Sequence, residues 1–252
     1  MKIQRIRLAA IACLVGVVTM AADPMGPPKA SLAQGQFGMG IEYSYTEMDL
    51  MREYMGVWNA YEIDEMHTAY ATLAYGVTDW MEVFVRLGAV QLESSDTHSF
   101  LSFDNDYDTD FIYGGGVRVT LGCVGDVTFG AVGTYSYAEL DGDFDSNMSW
   151  LSGGVDMDIQ QIQAALGATW NVTEQVAIYG GAMMHHVRID QDRWDDSGSP
   201  STSLTIKNDD GGSMFGGYAG AKVGLTENLY LVLEGTYTGD TDGGSAMLGW
   251  NF

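Results

Sequence analysis

Several residue types and patterns are scarce in this chain, and each shortage removes a class of protein. Only two of the 252 residues are cysteine, Cys13 and Cys123. Cys13 sits in a segment built like a secretory leader, so one thiol remains and no intrachain disulfide can form. Four prolines are present, and after Lys29 only Pro200 remains, which leaves long stretches free to pair as strands. Beyond the leader there is no run of 18 apolar residues, so no membrane-spanning helix is expected. Basic residues number 11 against 34 acidic. Nucleic acid is therefore excluded as a partner, since a polyanion would be repelled.

What is present begins with an address. Lys2, Arg5 and Arg7 precede an uncharged run from Leu8 to Ala22, followed by Asp23 and Pro24. A basic start, a short apolar stretch and small residues at its end describe a signal peptide, with cleavage expected after Ala21 or Ala22. At 15 residues the run is short for a membrane anchor. Residues 1–22 are thus read as the leader, 23–35 as a periplasmic linker and 36–252 as one β-domain. With three basic residues lost to the leader, eight remain in the exported chain and its net charge is near −26.

A short motif recurs at Gly76-Val77-Thr78-Asp79, Asn171-Val172-Thr173-Glu174 and Gly224-Leu225-Thr226-Glu227. Alternating residues flank each copy, which is the pattern of a hairpin. The threonines lie 95 and then 53 residues apart, and halving the larger gap points to a further turn at Gly122–Asp126. Strands are predicted at 36–47, 66–75, 80–92, 110–121, 127–139, 160–170, 175–189, 213–223, 228–238 and 244–252. That makes ten, with eight or twelve as the alternatives. Acidic clusters such as Asp104–Asp110, Asp141–Asp145, Asp190–Asp196 and Asp209-Asp210 fall between them and read as long loops at the end opposite the tight turns. Short turns at one end and long loops at the other are the asymmetry of an outer-membrane β-barrel.

Period-two alternation then assigns the faces. Tyr75, Leu73, Ala71 and Ala69 form one uncharged stripe. Trp170, Ala168, Leu166, Ala164 and Ile162 form another, and Phe37, Met39, Ile41, Tyr43 and Tyr45 a third. Aromatic residues cluster at both ends of these stripes, as expected of rings at two membrane–water interfaces. The fold class is accordingly all-β, a closed antiparallel up-and-down transmembrane barrel.

The Tyr75–Trp80 hairpin, the acidic segments and the terminal Gly249-Trp250-Asn251-Phe252 resemble the OmpA-like and OmpW-like small outer-membrane barrels of Gram-negative bacteria, over residues 36 to 252. The resemblance implies the cell outer membrane, with lipid and lipopolysaccharide as surroundings. It also implies recognition of the last strand by the barrel-assembly machinery, with Leu248, Trp250 and Phe252 in the places of the assembly signal. The group includes passive barrels, adhesins and narrow channels, so it implies location more than activity. No feature fixes an oligomeric state.

Facing inward, the same alternation places Glu42, Glu82, Arg86, Arg118, Lys222 and Glu234. Three acids balance three bases, which predicts a salt-bridged, plugged lumen with a structural or surface-interaction role. A narrow channel for ions or small solutes is the alternative. Proteases of the omptin type, a more remote reading, place acids and a histidine at the external rim. Here His67, His98, His185 and His186 carry no Asp-His dipeptide or matched carboxylate pair, and no enzyme activity is expected. No cofactor is implied. Asp141, Asp143 and Asp145 alternate as in calcium loops but lack the glycine and final acid of an EF-hand, so at most weak surface Ca²⁺ or Mg²⁺ binding is expected. This topology predicts that a tag at residue 145 or 197 is accessible on intact cells and one at 78 is not; the reverse pattern would overturn it.

Overall fold

The structure is a computed structural model, and it describes residues 25–54, 57–98, 101–147, 152–195, 200–208 and 214–252. The leader, residues 196 and 197, and Asp209-Asp210 lie outside the described residues. Seven long strands run first: β1 (Phe37–Tyr54), β2 (Val57–Thr78), β3 (Met81–His98), β4 (Leu101–Val124), β5 (Val127–Ser146), β6 (Ser152–Asn171) and β7 (Val176–Asp195). Four shorter ones follow: β8 (Pro200–Asn208), β9 (Met214–Gly224), β10 (Leu229–Thr238) and β11 (Thr241–Asn251).

All neighbouring strands pair antiparallel, and β11 returns to β1, from Gly38↔Asn251 to Met48↔Thr241. The ring is closed. β8 and β9 both descend along β7, β8 opposite Arg188–Trp194 and β9 opposite Val176–His185. Together they form one crossing strand with an interruption, so ten strands go round.

The recurrent threonine explains the tight turns. In the turn after β6, the Thr173 hydroxyl accepts hydrogen bonds from the amides of Gln175 and Val176. Thr226 does the same for Asn228 and Leu229 after β9, and Thr78 for Trp80 after β2. A side-chain oxygen that satisfies turn amides holds the reversal in place. The fourth turn lacks the threonine and uses Gly125 instead, at φ +60, a left-handed conformation that glycine adopts without steric cost.

Strands of 18 to 24 residues are about twice the length that a tilted strand needs to cross a bilayer. Their outward faces divide accordingly. Next to the turns these faces are apolar, with Ile41, Leu73, Leu87, Leu166 and Phe215 half or more exposed. An uncharged exposed band of this kind faces lipid. Farther along, the same faces turn acidic: Tyr45 gives way to Glu47, Gln91 to Glu93, Tyr137 to Glu139 and Gln160 to Asp158. Tyr45 and Tyr137 mark this border and donate hydrogen bonds to Glu47 and Glu139 just beyond it. Pairing irregularities at Thr46/Met48, Ile63/Glu65 and Val90/Leu92 lie at the same height.

The acidic segments are therefore not loops. Asp104–Asp110, Asp141–Asp145 and Asp190–Asp195 belong to β4, β5 and β7. The reason is alternation: the carboxylates of Asp141, Asp143 and Asp145 point to water while Leu140 and Phe144 are buried inside.

The circumference changes with height. β10 and β11 have only 10 and 11 residues and end at Thr238 and Thr241, where the intervening Asp240 carbonyl accepts the Asp49 amide at 2.7 Å. Above that level β1 pairs directly with β8, from Leu50↔Asn208 to Arg52↔Ile206. A ten-strand ring in the apolar band thus narrows to an eight-strand ring in the acidic extension. Leu166→Arg, in the apolar band, should cost about 2–4 kcal/mol in vesicle refolding by urea titration. Asp143→Arg, in the extension, should fold as well as the unaltered chain; equal losses at the two sites would contradict the assignment.

Candidate functional site

The lumen holds three layers of different chemistry. In the ten-strand section the inward alternation of β1, β3, β4, β9 and β10 brings the six charged residues into one compartment. Glu82 and Arg118 are register partners on β3 and β4 and pair at 2.6 Å. Arg86 reaches past Thr72 to Glu42 on β1, with nitrogen and oxygen 3.3 Å apart, and Thr72 donates its hydroxyl to the same carboxylate at 2.5 Å. The guanidinium of Arg118 stacks on the Phe84 ring at 4.3 Å, and the Lys222 ammonium lies 3.8 Å from the centre of the Tyr230 ring. Glu234 accepts the Tyr179 hydroxyl at 2.8 Å and has no cationic partner among its described hydrogen bonds.

Its other partners come from the segment that precedes the first strand. Residues 25–35, the described part of the 23–35 segment expected as a periplasmic linker, enter the mouth beside the turns. Met25 is fully buried and Leu32 nearly so. The amides of Met25 and Gly26 each donate to Glu234 at 2.8 Å, and those of Ser31 and Leu32 donate to Glu82 at 2.8 and 3.2 Å. Arg118 returns two hydrogen bonds to the Met25 carbonyl, at 3.1 and 2.9 Å. These contacts run between main chain and wall side chains, so they impose no periodicity on residues 25–32. The run Gly26-Pro27-Pro28 was the only local signal, and it reads equally well as a linker.

The middle layer is apolar. Eighteen buried side chains, among them Met48, Leu50, Tyr61, Leu92, Leu140, Phe144, Met157 and Ile189, form one cluster, most of it at the height of the eight-strand section. The outermost layer is polar again. Arg193 donates to Asn105 at 2.9 Å, and Asn105 donates to Ser94. Gln191 bridges Tyr107 and Tyr61. The Arg193 guanidinium caps the Phe103 ring at 4.6 Å.

The other sequence candidates are dispersed. His185 points inward beside Gln161, whereas His67 is on the outer surface with Tyr43 and Glu65. His98 lies beyond the described side chains. Asp141, Asp143 and Asp145 lie along one strand face rather than around a centre, and among the described residues no three His, Cys, Asp or Glu side chains converge to hold a metal ion. Leu248 and Trp250 face outward on β11, and Phe252, exposed just past its end, bonds through its amide to the Phe37 carbonyl at 2.8 Å.

Known structures share this architecture. The outer membrane protease OmpT of Escherichia coli superposes with a TM-score of 0.58 at 9% identity, covering 88% of this chain and 99% of that one. The translocator domain of the autotransporter NalP of Neisseria meningitidis gives 0.52 at 13% identity, covering 100% of this chain and 95% of that one. No family pattern and no curated protein matches the chain. The fold is thus that of the bacterial outer-membrane β-barrels, and at these identities the likeness extends to the fold alone.

On the outside of the extension, carboxylates stand directly opposite one another. Asp156 is flanked by Asp141 on β5 and Asp192 on β7, an arrangement that costs stability. Partial burial, a hydrogen bond with Asp141 and the charges of Asp141, Asp192 and Asp158 push the Asp156 carboxyl up to about 6. A folded-state value above the unfolded one means that the folded chain binds the extra proton. The stability penalty is therefore full above about pH 6 and is relieved as pH falls toward 4. Melting in detergent should show greater stability at pH 5 than at pH 8. Asp156→Asn should raise stability at pH 8 and flatten that slope, and an unchanged slope would exclude Asp156 as its source.

Proposed function

We propose that this chain is a closed β-barrel of the bacterial outer membrane, exported by the leader in residues 1–22, with a structural and surface-interaction role rather than a transport role. The observation that carries the reading is the apolar cluster across the outer lumen. An eight-strand ring is just wide enough for side chains to fill, and here the fill is Tyr61, Leu140, Phe144, Met157, Ile159 and their neighbours, buried to within a few per cent. An ion entering that layer would shed its hydration without replacement ligands. Below it, the cavity between residues 26–32 and the charged wall measures about 20 Å³, room for about one water molecule.

Function on this reading lies outside the barrel. The lipid-facing band anchors the chain, and the terminal strand with Leu248, Trp250 and Phe252 is the segment offered to the assembly machinery. The acidic extension stands clear of the bilayer, where Ca²⁺ or Mg²⁺ in the medium would moderate its self-repulsion beside lipopolysaccharide phosphates. No catalytic step is assigned to it. A narrow channel is the competing reading, and planar-bilayer recording separates the two. The purified protein should give no stable openings, and Glu82→Gln should be equally silent because the seal lies above that residue. Reproducible conductance steps from the unaltered chain would overturn closure.

A further inference from the structure

The compartment beside the turns is shaped around main-chain atoms of residues 25–35. Two carboxylates on opposite parts of the wall each receive a pair of consecutive amides: Glu234 those of Met25 and Gly26, Glu82 those of Ser31 and Leu32. At Gly26 the main chain turns with φ +70, a left-handed conformation that glycine adopts without steric cost. Arg118 completes the recognition by donating to the carbonyl between them. The wall is also relieved where the segment passes. A Cβ on Gly76 would collide with the Ala33 carbonyl and with no atom of the barrel itself within the same range. Access from the turn side persists: an open pocket of about 240 Å³ lies against Pro27, Lys29 and Ser31 and is bounded by Asn171, Gln175 and Lys222.

We propose that the periplasmic mouth is a peptide-binding seat that recognises turned main chain through Glu82, Arg118 and Glu234, and that residues 25–35 are its tethered, reversible occupant. Few side chains of the segment are read, chiefly Met25 and Leu32, so a separate peptide of the same sequence satisfies the same donors and acceptors. Withdrawal opens a blind, water-filled vestibule and not a pore, because the apolar cluster above it belongs to the wall. The inference is independent of closure: a failed seat shows as absent peptide binding, whereas a failed seal shows as conductance.

The test uses the full chain with Gly26→Val and Leu32→Asp, changes that unseat the segment and leave the seat intact. The probe is a fluorescent synthetic peptide of residues 23–36. Saturable binding is expected, at least about tenfold tighter than to the unaltered chain, whose seat is filled. Adding Gly76→Ala to the double variant should weaken it by about tenfold. In parallel, trypsin cleavage after Lys29 should be at least about tenfold faster in the double variant than in the unaltered chain. Full-length Gly76→Ala alone should show the same acceleration, which gives a second route should the double variant fail to fold, as judged by heat-modifiable migration. No peptide binding to a folded variant whose Lys29 has become cleavable would overturn the seat. Equal cleavage in Gly76→Ala and the unaltered chain would overturn reversible occupancy.

Discussion

Hydrocarbon offers no partner to a peptide group, and that single fact governs the architecture. Each amide and carbonyl of a strand in the apolar band must find its mate on a neighbouring strand, so the sheet closes on itself. Here closure depends on β11 pairing with β1 from Gly38↔Asn251 to Met48↔Thr241. Once the ring exists its circumference fixes how much space lies within. Eight strands can be filled by their own side chains, and ten leave somewhat more room. The chain meets both cases. Where ten strands go round, a foreign stretch of main chain occupies the surplus volume; where eight go round, side chains suffice.

This division also accounts for the buried charges. A carboxylate or guanidinium in a narrow lumen is unfavourable unless paired and hydrogen-bonded. The six charges balance in number, yet number does not describe their pairing. Glu234 is satisfied by two amides and a tyrosine hydroxyl, and Arg118 divides its donors between Glu82 and the Met25 carbonyl. Side chains on β4 and β10 therefore depend on a segment some 90 to 210 positions earlier in the chain. The wall and its occupant form one polar network, and neither is complete alone.

How much of this was legible in the sequence follows from which interactions leave periodic traces. The hairpin threonines, the uncharged stripes ending in Trp170 or Tyr75 and the terminal Trp250 and Phe252 all repeat with the pleat, and they fixed turns, faces and closure. The acidic stretches resemble loops in sequence because aspartate is a poor strand former and a good loop residue. Their alternation with Tyr107, Leu140, Phe144 and Met157 carried the right answer. Beyond the bilayer, an outward face that meets water takes charge freely, and propensity then yields to the buried face. Residues 25–35 had no such pattern to read. Nor did sequence reveal the change from ten strands to eight, which depends on where one hairpin stops rather than on what it contains.

That hairpin sets the calibre of the external section. β10 and β11 turn back at Asp240, whose carbonyl engages Asp49, and their brevity brings β8 alongside β1. Width here is a matter of arithmetic in two adjacent strands, separable from the lipid-facing surface and from the chemistry of the wall. A lineage that lengthened this one reversal by a few residue pairs would splay β8 from β1 and exchange a solid mast for a hollow one, with every membrane-facing residue unchanged.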